Sequence, residues 1–411
     1  MKLIIYNFFI WFYKFGTYMI APFNDKASYF VLGRKNLLKK VQNELIKNAP
    51  IIWFHCASLG EFEQGRPIME LLKDRYPNHK ILLSFFSPSG YEVSKNYAHA
   101  DYIYYLPLDT ENNAKEWLDI INPKAVFFIK YEFWHHYATE IHQRNIPLFS
   151  VSCIFRENQI FFKSYGDFNR DILNKFTHFF VQDKESQLLL EGIDIKNTTI
   201  SGDTRFDRVN TIRQQTKEKY DIVEAFKNNK RVFVIGSSWP EDMDVLSAFI
   251  NQNEQDIKFI IAPHEVYEMA IKNIEKQIEK KCIRFSDATV SNAEQFNVLI
   301  IDNMGMLSSL YQYGEYAYVG GAFGKGLHNI LEAATFGLPV FFGNKNFTKY
   351  KEARDLIQLG GAYSISDYHD LIQKFTHLNF DIASTTAESY VQGNTGATKK
   401  ILDHCEKYIS Q

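Results

Sequence analysis

The sequence predicts an α/β protein made of two doubly wound, parallel-sheet units with a ligand cleft between the carboxyl ends of their strands. Three observations support this. From residue 50 onward, short apolar runs alternate with amphipathic helical stretches. That alternation implies right-handed crossovers and strands covered on both faces. The pattern stops at a polar, charged stretch, 211–230, and restarts after it. A chain of 411 residues with 45% apolar composition is large enough for two domains of about 200 residues, each with its own core.

Taken in order, residues 1–23 read MKLIIYNFFIWFYKFGTYMIAPF. No small-residue cleavage site follows the apolar run, so a secretory signal does not fit. A membrane span wants about 20 apolar residues, and Lys14 interrupts this one. Tyrosine and tryptophan, with apolar bodies and polar tips, suit the membrane interface. Arg34, Lys35, Lys39, Lys40 and Lys47 follow on a predicted amphipathic helix, and such charges favour an anionic cytoplasmic leaflet. Residues 1–48 are therefore read as a membrane-associated helical segment. The competing reading is a buried helix with a solvated basic helix beside it. The first unit, 49–210, takes strands at 51–55, 80–84, 102–105, 125–129, 148–152 and near 178–181, with helices such as 61–74 and 114–121 between them. Residues 211–230 have no strand signal and read as a linker. The second unit, 231–380, takes strands at 231–236, 257–262, 298–301, 316–319 and 339–342, and helices such as 241–251 and 328–336. Residues 381–411 are helical without a strand partner.

Composition narrows the function. Lys+Arg 46 against Asp+Glu 48 leave a net charge of −2, which argues against a general nucleic-acid binder. Cys56, Cys153, Cys282 and Cys405 are scattered with no C-x-x-C pair. Neither a disulfide framework nor a zinc site is expected, and a reducing compartment fits.

Four motifs are candidates for chemistry. His55-Cys56-Ala57-Ser58-Leu59-Gly60-Glu61 follows the first strand. Glu61 is either an ordinary helix-start acid, favoured there by the helix dipole, or a general base at the mouth of the sheet. Lys130-Tyr131-Glu132-Phe133-Trp134-His135-His136 follows another apolar strand. Its adjacent histidines would point about 100° apart on a helix, so a metal pair is not expected. Gly202-Asp203-Thr204-Arg205-Phe206-Asp207-Arg208 opens a glycine-led turn. There Arg205 is either a fork for phosphate or carboxylate or part of a surface network. The most specific is Val319-Gly320-Gly321-Ala322-Phe323-Gly324-Lys325-Gly326-Leu327-His328-Asn329-Ile330-Leu331-Glu332-Ala333. A strand ends in two glycines and a glycine-rich loop opens a helix whose free N–H groups can hold one phosphate, with Glu332 one turn in to accept ribose hydroxyls. It lacks the Walker ending and the dinucleotide fingerprint.

In this order the four motifs resemble the 3-deoxy-D-manno-octulosonate (Kdo) transferases of lipopolysaccharide and lipid A synthesis. Asp302-Asn303-Met304-Gly305-Met306-Leu307, followed by Gly320-Gly321 and His328-Asn329-Ile330-Leu331-Glu332-Ala333, is the most distinctive part. The resemblance implies a GT-B-type glycosyltransferase, with two Rossmann-like domains, an interdomain cleft and a returning C-terminal helix. It implies inverting transfer of Kdo from CMP-Kdo to a lipid A precursor (lipid IVA), without metal or cofactor, at the cytoplasmic face of the cell inner membrane. By resemblance, Glu61 matches the proton acceptor, and Glu132 and Arg205 the two transition-state stabilisers. The CMP contacts match Pro263, His264, Met304, Gly305, Met306, Asn329, Ile330, Leu331 and Glu332. Four positions depart from the family pattern: Cys56 replaces the first serine of H-S-x-S-x-G-E, Lys130 the first acid of E-x-E, Arg205 the commoner lysine, and Met306 a frequent glutamate. The A-P-R-H block is also shortened to Ala262-Pro263-His264-Glu265. Two rivals stand beside this reading. One is a GT-B transferase or epimerase using a UDP-sugar, whose diphosphate asks for more cations than Lys325. The other is a non-catalytic membrane-bound lipid or scaffold protein, which leaves Glu61 and the glycine-rich loop without a role.

Overall fold

The computed structural model describes residues 1–46, 48–215 and 219–410. Lys47 and residues 216–218 of the expected linker lie outside these. The chain divides into unit 1, Met1–Arg208 with Thr395–Gln411, and unit 2, Val209–Asn394.

Unit 1 holds strands β1 (Ile51–Cys56), β2 (Lys80–Phe85), β3 (Tyr102–Tyr105), β4 (Ala125–Ile129), β5 (Leu148–Cys153), β6 (His178–Val181) and β7 (Thr198–Ile200). They pair in parallel in the order β3-β2-β1-β4-β5-β6-β7. Unit 2 holds β8 (Arg231–Ser238), β9 (Ile257–Pro263), β10 (Cys282–Arg284), β11 (Val298–Ile300), β12 (Tyr316–Val319), β13 (Val340–Gly343) and β14 (Ala362–Ile365). Their order is β10-β11-β9-β8-β12-β13-β14, again all parallel. The doubly wound α/β class is as predicted. Each sheet reverses its winding once, between β1 and β4 and between β8 and β12, and crevices for ligands form at such points.

The central strands are mostly apolar because helices cover both faces: β1, β4 and β5 are buried at every residue, with His55, Ser150 and Ser152 as their polar members. Large rings fill the layers of unit 1. Phe54 stacks on Phe127 at 4.7 Å, and Trp53 meets Trp117 and Phe128 edge-on. Such pairs add about 0.5–1.5 kcal/mol each beyond their buried area.

The N-terminal segment forms α1 (Lys2–Ile20), α2 (Asp25–Leu32) and α3 (Leu37–Glu44). Residues Lys2–Phe23 are long and apolar enough to cross a membrane, and none of this stretch is buried. That excludes the buried-helix reading. Polar hooks tie its first turns to unit 1: Lys2 pairs with Asp167, Tyr6 donates to Asp109, and Asn7 meets His136 at 2.7 Å. Arg34 differs from the expectation of a helix-borne surface charge. It sits in the turn after α2, half-buried, because its guanidinium donates to the carbonyls of Phe30, Phe86 and Leu106.

The stretch expected as a linker is helical at Thr204–Gln215 and Asp221–Lys227. Of the C-terminal segment, Phe380–Gly393 belongs to unit 2 and Ala397–Ile409 to unit 1. The second helix returns to pack beside α4 (Leu59–Arg75).

Candidate active site

In unit 1, Glu61 stands in the first turn of α4, just past the carboxyl end of β1, with Ser58 as N-cap. The Ser58 hydroxyl donates to one Glu61 oxygen. Glu132 follows β4, the strand beside β1, so both acids flank the reversal point of the sheet. Glu132 is buried, and its Oε2 accepts from His55 Nε2 at 3.0 Å and from the Trp134 indole N–H at 2.7 Å. The other His55 nitrogen meets Ser84 Oγ at 2.9 Å. This chain fixes Glu132, whereas Glu61 remains partly exposed. Between them lies Cys56, whose thiol is pushed well above its usual range by burial and then by the charges of Glu61 and Glu132. It is a neutral filler, not a nucleophile.

Arg205 enters from the helix Thr204–Gln215. Its Nε and terminal nitrogen reach Asp203 Oδ2 at 2.9 and 2.7 Å. Asp203 also accepts from Gln64 of α4 at 3.2 Å, and Thr204 donates to the Gln64 carbonyl at 2.6 Å. Gln64 lies three residues beyond Glu61, so this turn sits beside the helix that carries the acid. Burial alone would raise the Asp203 carboxyl. Arg205, its hydrogen bonds and Lys130 outweigh that and hold it below the usual range. Lys130 itself has a left-handed backbone, φ 68°, a strain of about 1–2 kcal/mol of the sort found at functional sites. Glu61, Glu132 and Arg205 are thus gathered at one edge of unit 1.

In unit 2 the expected contacts also gather. Pro263 ends β9, His264 follows it, and Met304, Gly305 and Met306 form the loop after β11. Glu332 joins that loop to the next, accepting from Ser308 Oγ at 2.6 Å and from Asn329 Nδ2 at 3.2 Å. The helix expected at 328–336 is regular only over Leu331–Ala334. Its first residues are drawn away: His328 N donates to the Gly320 carbonyl at 3.2 Å, and the imidazole lies 4.8 Å from that of His264. The glycine-rich loop is also less open than expected. The amides of Gly320, Gly321, Gly324, Gly326 and His328 bond within the fold, whereas those of Ala322, Phe323, Lys325, Leu327, Asn329 and Ile330 have no hydrogen bond among the described residues, the last two at the start of the helix.

Two residues of unit 2 escaped the sequence reading. Trp239 stacks on His264 at 4.2 Å and donates its indole N–H to His328 at 3.1 Å. It borders a cavity of about 310 Å³ shared with Ser238, Pro263, Glu265 and Tyr267. Asp242 is fully buried and accepts from Tyr318 OH, Trp239 N and Gly321 N at 2.7, 2.9 and 2.9 Å. Their signal was Trp-Pro-x-Asp after a strand, a proline at the first helical position and an acid at the third, where it reaches back to the cap.

The acceptor role of His328 requires a neutral ring. Burial, then the neighbouring His264, lower its pKa from 6.5 to about 4. Burial first, and then a neighbouring histidine, likewise hold His135 and His178 in unit 1 at about 4. The unfolded chain binds these protons more tightly than the folded one, so stability should be full above pH 6.5 and fall as pH drops toward 4. Urea unfolding at pH 7 and pH 5 checks this, and equal free energies would contradict it.

Two parallel seven-stranded sheets, each reversing its winding once, define a GT-B-type fold. A UDP-GlcNAc 2-epimerase from Neisseria meningitidis shares this fold, with a TM-score of 0.60 at 14% identity, covering 87% of this chain and 100% of that one. MurG from Acinetobacter baumannii does so with 0.55 at 12%, covering 87% and 99%. Residues 32–208 match the model of the 3-deoxy-D-manno-octulosonic-acid transferase (kdotransferase) family. Named members are similar along most of the chain: one from Aquifex aeolicus is 28% identical over 344 residues, 82% of this chain and 88% of its own. Another, from Haemophilus influenzae, is 22% identical over 377 residues, 88% and 87%. Residues 32–208 thus carry the Kdo transferase domain, the named relatives along most of the chain are Kdo transferases, and the chain is a glycosyltransferase.

Proposed function

We propose that the protein moves Kdo from CMP-Kdo to a lipid A precursor, lipid IVA, in one inverting displacement, attached through α1 to the cytoplasmic face of the inner membrane. The observation that carries this is Glu61: a partly exposed carboxylate in the first turn of α4, beyond the carboxyl end of β1 and beside the buried Glu132.

The anomeric carbon of Kdo carries a carboxylate and no hydrogen, so departure of CMP leaves an oxocarbenium-like centre. The attacking hydroxyl must lose its proton as the bond forms. Glu61 takes that proton, and opposite-face attack inverts the centre, following the logic of inverting glycosidases. Glu132, fixed by His55 and Trp134, faces developing positive charge with a preorganised negative one. Arg205, held in orientation by Asp203, meets negative charge on the donor. The donor residues are Pro263, His264, Met304–Met306 and Asn329–Glu332, with the two unbonded amides at Asn329 and Ile330 suited to a single phosphate. The exposed α1 and its aromatic residues suit interfacial burial.

The rival donor is a UDP-sugar, and thermal unfolding with CMP and with UDP separates the two. CMP at a hundredfold excess over Kd should stabilise by about 2.7 kcal/mol, with a much smaller effect from UDP. Stabilisation by UDP and none by CMP would overturn the donor assignment.

A further inference from the structure

The charge inside the apolar run of α1, Lys14, lines a cavity of about 320 Å³ with Arg34, Asn36, Lys39, Asn113 and Glu116. Three cations thus surround one acid. Lys14 and Lys39 have no ion pair among the described residues. Arg34 has no carboxylate partner either; three of its five N–H groups go to backbone carbonyls and its plane lies 3.6 Å over Phe30. Burial brings its pKa down to about 10, so it stays charged at neutral pH. Arg34 is half-buried while Lys14, Lys39 and Glu116 are exposed, so the cavity is open to solvent and carries an excess of positive charge that attracts an anion from outside the chain. An ionisable side chain within a membrane helix is likewise a mark of function.

A largely apolar groove of about 500 Å³ shares Phe30 with this cavity and is lined by Phe9, Phe12, Gly16, Ile20 and Pro88, with Lys26 as its one charged residue. A Cβ on Gly16 would meet nothing within 4 Å, so the missing side chain is what leaves the groove open there. A cationic cavity and an apolar groove meeting at one ring, on a helix with no buried residue, match the two halves of an amphiphile. We infer that α1, α2 and α3 bind one anionic phospholipid of the bilayer, its phosphate at Lys14, Arg34 and Lys39 and one acyl chain over Gly16. This rests on the membrane location proposed above, but not on the transfer chemistry.

The test uses the full chain and phosphatidylcholine vesicles with and without phosphatidylglycerol. Lys35→Gln/Lys40→Gln removes two charges outside the cavity and sets the general electrostatic loss, about fivefold per charge. Lys14→Gln/Lys39→Gln removes the same charge from the cavity and should lose about tenfold more. Gly16→Leu gives the decisive sign. Added apolar surface strengthens binding by a helix that merely inserts, whereas a filled groove weakens it about tenfold or more. Equal losses from the two lysine pairs, or vesicle binding of Gly16→Leu at or above wild type, would overturn the site. Transfer to detergent-dispersed acceptor should keep its KM in all three variants. A raised acceptor KM with intact vesicle binding would give the site to the acceptor and overturn the phospholipid assignment. Absence of transfer by the unmodified chain would sink the proposed function while leaving the lipid measurement readable.

Discussion

Glu61→Gln is expected to keep the fold and CMP binding while lowering kcat by about 10²–10⁴-fold, the usual worth of a positioned general base. The amide is nearly isosteric and still offers an oxygen to the Ser58 hydroxyl, so the start of α4 should hold. Loss of the negative charge near the helix N-terminus removes about 0.3–1 kcal/mol of stability at most. What the variant cannot do is accept the proton of the attacking hydroxyl. The loss must therefore appear in turnover, with donor affinity spared because the expected CMP contacts all lie in unit 2. Steady-state kinetics beside CMP-induced thermal shifts measure the two separately. Turnover like that of the wild type would return Glu61 to the role of a helix-start acid.

Glu61 was legible in the sequence because its signal is local: an apolar strand, a glycine-bearing turn, an acid in the first helical turn. The central strands were legible for a similar reason, since burial on both faces leaves a nearly continuous apolar run. β7, β10 and β14 were missed. Thr198–Ile200 and Cys282–Arg284 have no buried residue, and Ala362–Ile365 is buried only at its ends. All three stand at sheet edges, where no apolar run is required. Arg34 was misread for a different reason. Its guanidinium is held by carbonyls of Phe86 and Leu106, residues whose nearness depends on how α2 packs against the sheet. The glycine-rich segment showed its location and not its state. Which of its amides stay open is decided by bonds to Gly236 of β8 and to Asp242, both far away in sequence, and by bonds within the segment itself.

Asp242→Ala should cause the largest loss of stability in unit 2, about 3–5 kcal/mol. The buried carboxylate serves the Tyr318 hydroxyl and the amides of Trp239 and Gly321 together. Truncation strands all three donors, at about 1–3 kcal/mol each before relaxation and entering water reduce the sum. The same acid joins the two strand ends that flank the reversal point of the sheet. β8 and β12 come so close there that a Cβ on Gly320 would lie 2.3 Å from the Ser237 carbonyl oxygen and 2.7 Å from Asp242 Oδ2. The glycine-rich loop and the Trp239–His264–His328 stack are therefore set by one side chain, and CMP affinity should fall along with stability. Asp242→Asn is the informative partner. Burial already raises the Asp242 pKa against the pull of its three donors, so a neutral group is tolerated there, but the amide N–H₂ cannot accept. The asparagine carbonyl can keep the two amides served by Oδ2 while its N–H₂ confronts the tyrosine hydroxyl, for an expected loss of about 1–2 kcal/mol. Urea unfolding with and without CMP orders the three proteins. An alanine variant within about 1 kcal/mol of wild type would mean that backbone packing at Gly320, rather than the Asp242 bonds, holds the donor loops in place.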